Sequence, residues 1–434
     1  MTLSSSLNAG VSGLNANANK LSTISDNIAN SNTYGYKRAQ SDFHSVVIHG
    51  NTSTTYAAGG VRSTNMRLID ERGPLIGTSN PTDIAIDGRG FLAVTSLSAL
   101  GVQSADYPIS LVSTGSFRPN EDGVLVTSTG EVLMGWPANA DGEVETTSRD
   151  SMSSLQPVVI NANQYVGNPT SEMSVGVNLP ATETDFDALG EPITLEVEYF
   201  GNLGTAETLT YTFTPVLPTT GRSNTWTMTI ADSASAGAVI GEYTVEFDSS
   251  QNSGGTLLAV TTVSGANFDP LTGTIPLTVG GGDIVLTIGQ IGVPGGMTQL
   301  SDTYAPVAIS KNGSPVASVV SVEIDPNGKL FAIYDAGFTR QIYQIPVVDV
   351  PNPNGLIAHN NQTYGISPSS GPFYLWDAGD GPTGGLVGYA REESSVDVAM
   401  ELTQLIVTQR AYSSNAKVIQ TVDEMLQETT NIKR

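Results

Sequence analysis

Leu7, Leu14, Leu21 and Ile28 recur every seven residues near the start of the chain, with Leu3, Val11, Ala18 and Ile24 on or beside the same helical face. Near the other end Val398, Leu402, Leu405, Tyr412, Ala416, Ile419 and Leu426 keep the alternating four- and three-residue spacing of a coiled-coil seam, interrupted by Gln409 and Asp423. The two stripes predict long amphipathic helices, one from Ser4 to about Asn30 and one from Ser394 to the end. Ser4, Ser5 or Ser6 can cap the first, and Asn30 to Thr33 followed by Gly35 ends it. Ser394 with Asp397 resembles a capping box for the second, with Glu392, Glu393 and Asp397 at its positive end and Lys433 and Arg434 at its negative end. Neither stripe has a partner nearby in sequence. The economical solution is that the ends pack on each other or on copies of themselves.

Between them the period falls to two. Ile84 and Ile86, the Asp87-Gly88-Arg89-Gly90 turn and Phe91 to Val94 predict a tight hairpin, and Asp122-Gly123, Thr129-Gly130 and Asn327-Gly328 signal others. In Ile193-Leu195-Val197-Tyr199, Leu209-Tyr211-Phe213, Trp226-Met228-Ile230, Tyr243-Val245-Phe247 and Ile284-Leu286-Ile288 the apolar residues alternate with Thr or Glu. Such strands fit half-buried antiparallel sheets in a sandwich or barrel. The fold class is therefore mixed α and β: terminal helices forming an α-helical coiled coil, with two nested, mostly antiparallel β-domains between them. The expected division is a helix over 1–32, an irregular arm over 33–80, an inner β-domain over 81–148 and 302–389, an inserted outer β-domain over 149–301, and a helix over 390–434.

Charge narrows the range of partners. With 18 Lys+Arg against 42 Asp+Glu the net charge is -24, which argues against nucleic acid and anionic membrane. No stretch approaches the apolar length of a membrane span, and no basic residue precedes Lys20, so neither membrane insertion nor a cleaved secretory signal is expected. The absence of cysteine excludes disulfides, thiolate metal sites and cysteine nucleophiles.

Candidate chemistry is weak, and no catalytic, cofactor or metal residues are expected. Gly88 to Ala93 matches GxGxxA but lies between strand patterns, where dinucleotide binding needs strand, turn and helix. Ser414 to Lys417 matches SxxK and Ser25-Asp26-Asn27 matches SDN, but in the wrong order and inside the helical stripes. His44, His49 and His359 lack metal spacing, and Asp325-Asn327-Lys329 puts a lysine where a calcium loop needs oxygen. Self-assembly is the better expectation, with a secreted β-rich binding module as the rival.

The ends also carry a family likeness. Ser12 to Ala16 and then Ile24-Ser25-Asp26-Asn27-Ile28-Ala29-Asn30-Ser31-Asn32-Thr33-Tyr34-Gly35-Tyr36-Lys37 resemble the N-terminal signature of the axial proteins of the bacterial flagellum, the rod and hook subunits. Thr82 to Gly88 with Gly90-Phe91, and Thr114 to Phe117 through Asp122 to Val126, are similar to two further shared blocks. Asn352 to Leu356, Ser394 to Asp397, Glu401-Leu402 and Gln409-Arg410-Ala411-Tyr412-Ser413-Ser414-Asn415-Ala416-Lys417 resemble the C-terminal signature. Asp26 and Ser395 stand where the family usually has Asn, and Leu92 where a second Phe is common.

The resemblance implies a subunit exported by the flagellar type III apparatus without a cleaved signal. It implies a homopolymeric tube with the terminal helices paired inside and the β-domains outside. Distal rod, hook cap, hook-filament junction proteins and the export machinery would be its other partners, and an extracellular flagellar hook or basal body its place. The large middle block favours hook subunits, which form a curved universal joint passing motor torque to the filament, over shorter distal rod subunits.

Overall fold

The computed structural model describes residues 3–47, 58–101, 107–139, 142–145, 148–161 and 165–432. Two helices bound the β structure: α1 (Leu3–Ala29) and α2 (Val398–Ile432). At 1.5 Å rise per residue α2 is a rod of roughly 50 Å. Its N-cap is Asp397, not Ser394, because Asp397 Oδ1 accepts the backbone N–H of Ala399 at 2.9 Å and of Met400 at 3.1 Å. Likewise α1 begins at Leu3, ahead of the serines expected to cap it. Lys433 and Arg434, expected at the negative end of α2, and His49 lie outside the described residues.

The chain divides into two compact units. The first comprises 1–161, 321–333 and 339–434, and the second 162–320 and 334–338. The second unit overlaps most of the block anticipated at 149–301 but extends to residue 320. The extension arises because Ala305–Lys311 pairs antiparallel with Glu172–Leu179, and Ser314–Ala317 with Val166–Asn168.

In the second unit a five-stranded antiparallel sheet runs in sequence order through Ile193–Phe200, Ala206–Pro215, Thr225–Asp232, Ala238–Phe247 and Leu257–Ser264. The alternation read from the sequence sets its inner face. Tyr199, Tyr211, Phe213, Trp226, Met228, Ile230, Tyr243 and Val245 meet Met173, Val175, Val177, Ile275, Leu277, Ile284 and Leu286 of a second sheet in one apolar cluster. Burying each such side chain stabilises by roughly 1.5–3 kcal/mol before chain entropy is counted. One buried charge sits within this sandwich. Asp232 accepts hydrogen bonds from the Tyr199 hydroxyl at 2.7 Å, the Ser235 hydroxyl at 2.7 Å, and the backbone N–H groups of Gly280 at 2.8 Å and Ala234 at 3.1 Å. Burial pushes its pKa up, but these donors outweigh burial and hold it below the usual aspartate value.

The first unit has its own core, with Phe91, Leu111, Met134, Trp136, Val348, Tyr364 and Leu375 packed together. Here two sequence expectations fail. The stretch around Gly88–Gly90 is not a hairpin: Asp83–Asp87 pairs with Gly385–Gly388 and Thr114–Ser116, whereas Phe91–Ser96 pairs with Ile109–Val112, Glu131–Pro137 and Val347–Asp349. The chain crosses between sheets where only glycine fits. Gly88 and Gly90 have φ of +128° and +123°, and a Cβ on Gly90 would lie 2.1 Å from Val347 Cγ1. The irregular arm is also partly regular, since β1 (Ala39–Ser45) and β2 (Val61–Arg67) form an antiparallel pair. The Asn327-Gly328 turn does form, with Asp325 Oδ1 accepting the Lys329 backbone N–H at 2.7 Å, so that carboxylate serves the turn.

Candidate assembly site

The segments that carry the flagellar signatures meet in the first unit. Asn27, near the end of α1, uses its side chain as a piece of backbone: Nδ2 donates to the Ala39 carbonyl at 2.8 Å and Oδ1 accepts the Ala39 N–H at 2.9 Å. The Tyr36 hydroxyl lies 3.0 Å from Asp26 Oδ2 and 3.2 Å from Asn27 Oδ1. Burial, then the hydrogen bond to Asp26, pushes the Tyr36 pKa up to about 12. Gly35, with φ of +69°, bends the chain and donates its N–H to the Glu392 carbonyl at 2.9 Å. These contacts fold the chain back from α1 into β1 and lay residues 35–38 beside residues 392–395.

Two consecutive cations lock that alignment. Lys37 Nζ pairs with Glu392 Oε1 at 2.7 Å, both side chains only 1% exposed, and also donates to the Glu71 carbonyl at 2.8 Å. Arg38 Nε pairs with Glu401 Oε1 at 2.6 Å, and the Arg38 backbone N–H donates to Ser395 Oγ at 2.9 Å. Burial pulls the Lys37 pKa below the ordinary lysine value against the opposing pull of Glu392. Each glutamate uses one oxygen. Glu392 Oε1 also accepts the Gly73 N–H at 2.9 Å, whereas Oε2 of both glutamates is buried without a partner among the described residues. The sequence offered a faint signal for these pairs, two adjacent cations in a chain that has only 18, but hydrophobic periodicity is blind to them.

The helices approach one another closely at two glycines of α1. A Cβ on Gly10 would come within 3.0 Å of Ile419 Cγ1, and one on Gly13 within 2.9 Å of Asn415 Nδ2. On α1 the buried positions are Gly10, Gly13, Ala16, Asn17, Thr23, Ile24 and Asn27, and on α2 they are Glu401, Thr408 and Val422. Of the anticipated stripes, Ile419 is in this contact, against Gly10. Leu7, Leu14, Leu21 and Ile28 are half-buried, Val11 and Ala29 are exposed, and the side chain of Leu3 is outside the described residues. On α2, Leu405, Ala416 and Ile419 are half-buried, while Val398, Leu402, Tyr412 and Leu426 are exposed by 39%, 46%, 42% and 38%. Of the remaining signature residues, Asn30 and Asn415 are half-buried, and Gln409, Arg410 and Lys417 are exposed.

The regions that build this junction are the ones that family models match. Residues 7–37 match a flagella basal body rod protein model, and residues 388–432 match the C-terminal model of the flagellar basal body rod FlgEFG proteins. Over the full length of both chains the protein is 33% identical to the flagellar hook protein FlgE of Brucella suis biovar 1 (strain 1330). It belongs to the flagellar hook protein family. The FlgE hook protein of Rhizobium meliloti (strain 1021) is 32% identical over the full length of both chains. That of Salmonella typhimurium (strain LT2) is 27% identical over 99% of this chain and 100% of its own. The crystal structure of Helicobacter pylori hook protein FlgE2 covers 72% of this chain and 98% of its own at 14% identity, with a TM-score of 0.47. The family is structural rather than enzymatic, and membership places the chain in the bacterial flagellum. No described helix is long and apolar enough to cross a membrane.

Proposed function

We propose that this hook subunit polymerises into a curved tube whose inner layer is the α1–α2 pair, wound as a coiled coil, and whose outer layer is the inserted β-unit. The observation that carries this is on the helices: they approach closely where Gly10 meets Ile419 and Gly13 meets Asn415, while Leu7, Leu14 and Leu21 stay half-buried and Leu402, Tyr412 and Leu426 of the α2 stripe are exposed. Helices with so little apolar burial of their own gain stability on docking those stripes against neighbouring copies. The second unit, with its Thr-rich outward faces, supplies polar contacts that slide as the tube bends. The tube passes torque from distal rod to filament, meets the hook cap and hook-filament junction proteins, and leaves the cell through the type III apparatus without a cleaved signal.

Negative-stain electron microscopy tests this with the full chain beside a copy lacking 1–30 and 394–434. Curved tubes from the full chain alone support it, and tubes from the truncated copy, or a monomeric full chain under polymerising salt, sink it. Deleting 162–320 should leave assembly intact and change curvature or stiffness.

A further inference from the structure

Apart from Glu401, which holds Arg38, and Asp423, which accepts from Gln427 Nε2 at 3.0 Å, the charged residues of α2 are Arg410, Lys417, Glu424 and Glu428. They are sorted by sign, the cations in the middle of the helix and the anions nearer its end. At about 100° per residue the four fall within an arc of about 40°, whereas Asn415 and Ile419, which meet α1, lie about 140–180° away from Arg410. All four are exposed, so they form one line on the side of α2 turned away from α1. None has an opposite charge at the third or fourth position before or after it, the spacing at which a helix pairs its own charges. Glu424 and Glu428 stand four apart, where like charges cost helix stability instead. The four form no ion pair among the described residues, and α1 has only Lys20 and Asp26 to offer.

We propose that this line is a contact between the α2 helices of neighbouring copies, which pack parallel and displaced along their axes so that Arg410 and Lys417 of one copy face Glu424 and Glu428 of the next. The proposal rests on the polymer reading above and names a contact within it. A second copy is the occupant the charges specify, because the line itself carries the two cations and the two anions that complete each other. Parallel helices in register would set like charges against like. A displacement of 14 residues sets Arg410 against Glu424 and one of 11 sets Lys417 against Glu428, roughly 17–21 Å of helix, and long side chains span the difference. Such a head-to-tail contact leaves a cationic half free on one copy and an anionic half free on the other, so it propagates as an open helical assembly does. Ile406 and Val407 beside the cations and Met425 beside the anions are 51%, 60% and 54% exposed, so the same docking covers apolar surface at both halves.

Charge reversal tests the pairing. Arg410→Glu with Lys417→Glu should raise the critical concentration for tubes about tenfold or more, and Glu424→Lys with Glu428→Lys should do the same. The two defective chains mixed in equal amounts should form tubes, and a chain carrying all four reversals should assemble alone near the wild-type concentration, because its line is again complementary to itself. A merely misfolded variant would not be rescued in either way. Because the chain has no cysteine, disulfides then report the direction of packing. Arg410→Cys with Thr421→Cys, 11 residues apart on the same face, should give an oxidised ladder on a non-reducing gel from tubes grown above the raised critical concentration. Thr421→Cys alone should give no linked dimer, whereas antiparallel helices with the same charges paired would bring that position against its own copy. Overturning results are a pair reversal that leaves assembly unchanged, a fourfold reversal that stays defective, tubes without the ladder, or Thr421→Cys dimers. Wild-type chains that never form tubes would refute the polymer reading itself.

Discussion

Asp232 and Glu401 are both fully buried carboxylates, yet their surroundings are opposites. Asp232 has four donors on its two oxygens, all from its own unit. Glu401 has one arginine on one oxygen and, among the described residues, nothing on the other. The same contrast runs through the packing around them, since the sandwich closes over large aromatics such as Trp226 and Tyr243 while the helix contact closes over Gly10 and Gly13. In polar satisfaction the contrast holds for these two carboxylates and not for the units as wholes, since the sandwich also buries an unpartnered donor, Trp226 Nε1, among the described residues. In the terminal region the half-satisfied carboxylate shares α2 with exposed apolar residues such as Leu402, Ile406 and Val407.

The largest effect should come from the junction. Glu392→Ala leaves the Lys37 ammonium buried and unpaired and should cost about 3–5 kcal/mol. It should appear as loss of helical ellipticity at temperatures where the sandwich stays folded. Lys37→Met combined with Glu392→Leu removes both charges and should recover most of that loss. If the single variant melts like wild type, the ion pair does not hold the terminal region.

Asp232→Asn should cost less, about 1–3 kcal/mol, because an amide nitrogen replaces one acceptor among donors. The effect should appear in the sandwich transition and spare the helices. Asp232 also sets an acid limit. Its pKa is lower in the folded chain than in the unfolded one, so its contribution is fully present above the unfolded value, about 4, and fades as pH falls through the lower folded value. The wild-type chain should therefore lose sandwich stability below about pH 4 more steeply than the Asp232→Asn variant. Parallel acid profiles for the two would remove Asp232 from the account.

Gly10→Ala should have the smallest effect, a net change within about 1 kcal/mol, as better helix propensity offsets the tight approach to Ile419. Gly10→Leu should instead push α2 away from α1 and abolish assembly. Thermal melts with a sedimentation assay separate these outcomes, and a Leu variant that still assembles would show that the close approach is dispensable.

Much of the sandwich was legible because its strands alternate, and Tyr199, Tyr211, Phe213, Trp226 and Ile230 are fully buried where the period of two puts them. The two terminal helices were legible for a similar reason, but the face they share only in part. Periodicity detects apolar residues, so it marked Ile419, which faces Gly10, but not Gly10 itself, nor Gly13 and Asn415, which also approach closely. The crossing at Gly88–Gly90 was missed because glycines that permit a turn and glycines that permit close approach look alike in sequence. Asn27 and Tyr36 were marked by resemblance alone, and only the Ala39 clamp shows what they do.

The Lys37–Glu392 pair joins residues 355 positions apart. A chain handed out from its N-terminus cannot close that contact until most of it has emerged, and closing so long a loop is the slow kind of step in folding. Until then Lys37 and Arg38 stay hydrated and the clamp at Asn27 has only local support. The junction thus registers whether the chain is whole: a chain cut short before residue 392 lacks both carboxylates that pair with Lys37 and Arg38.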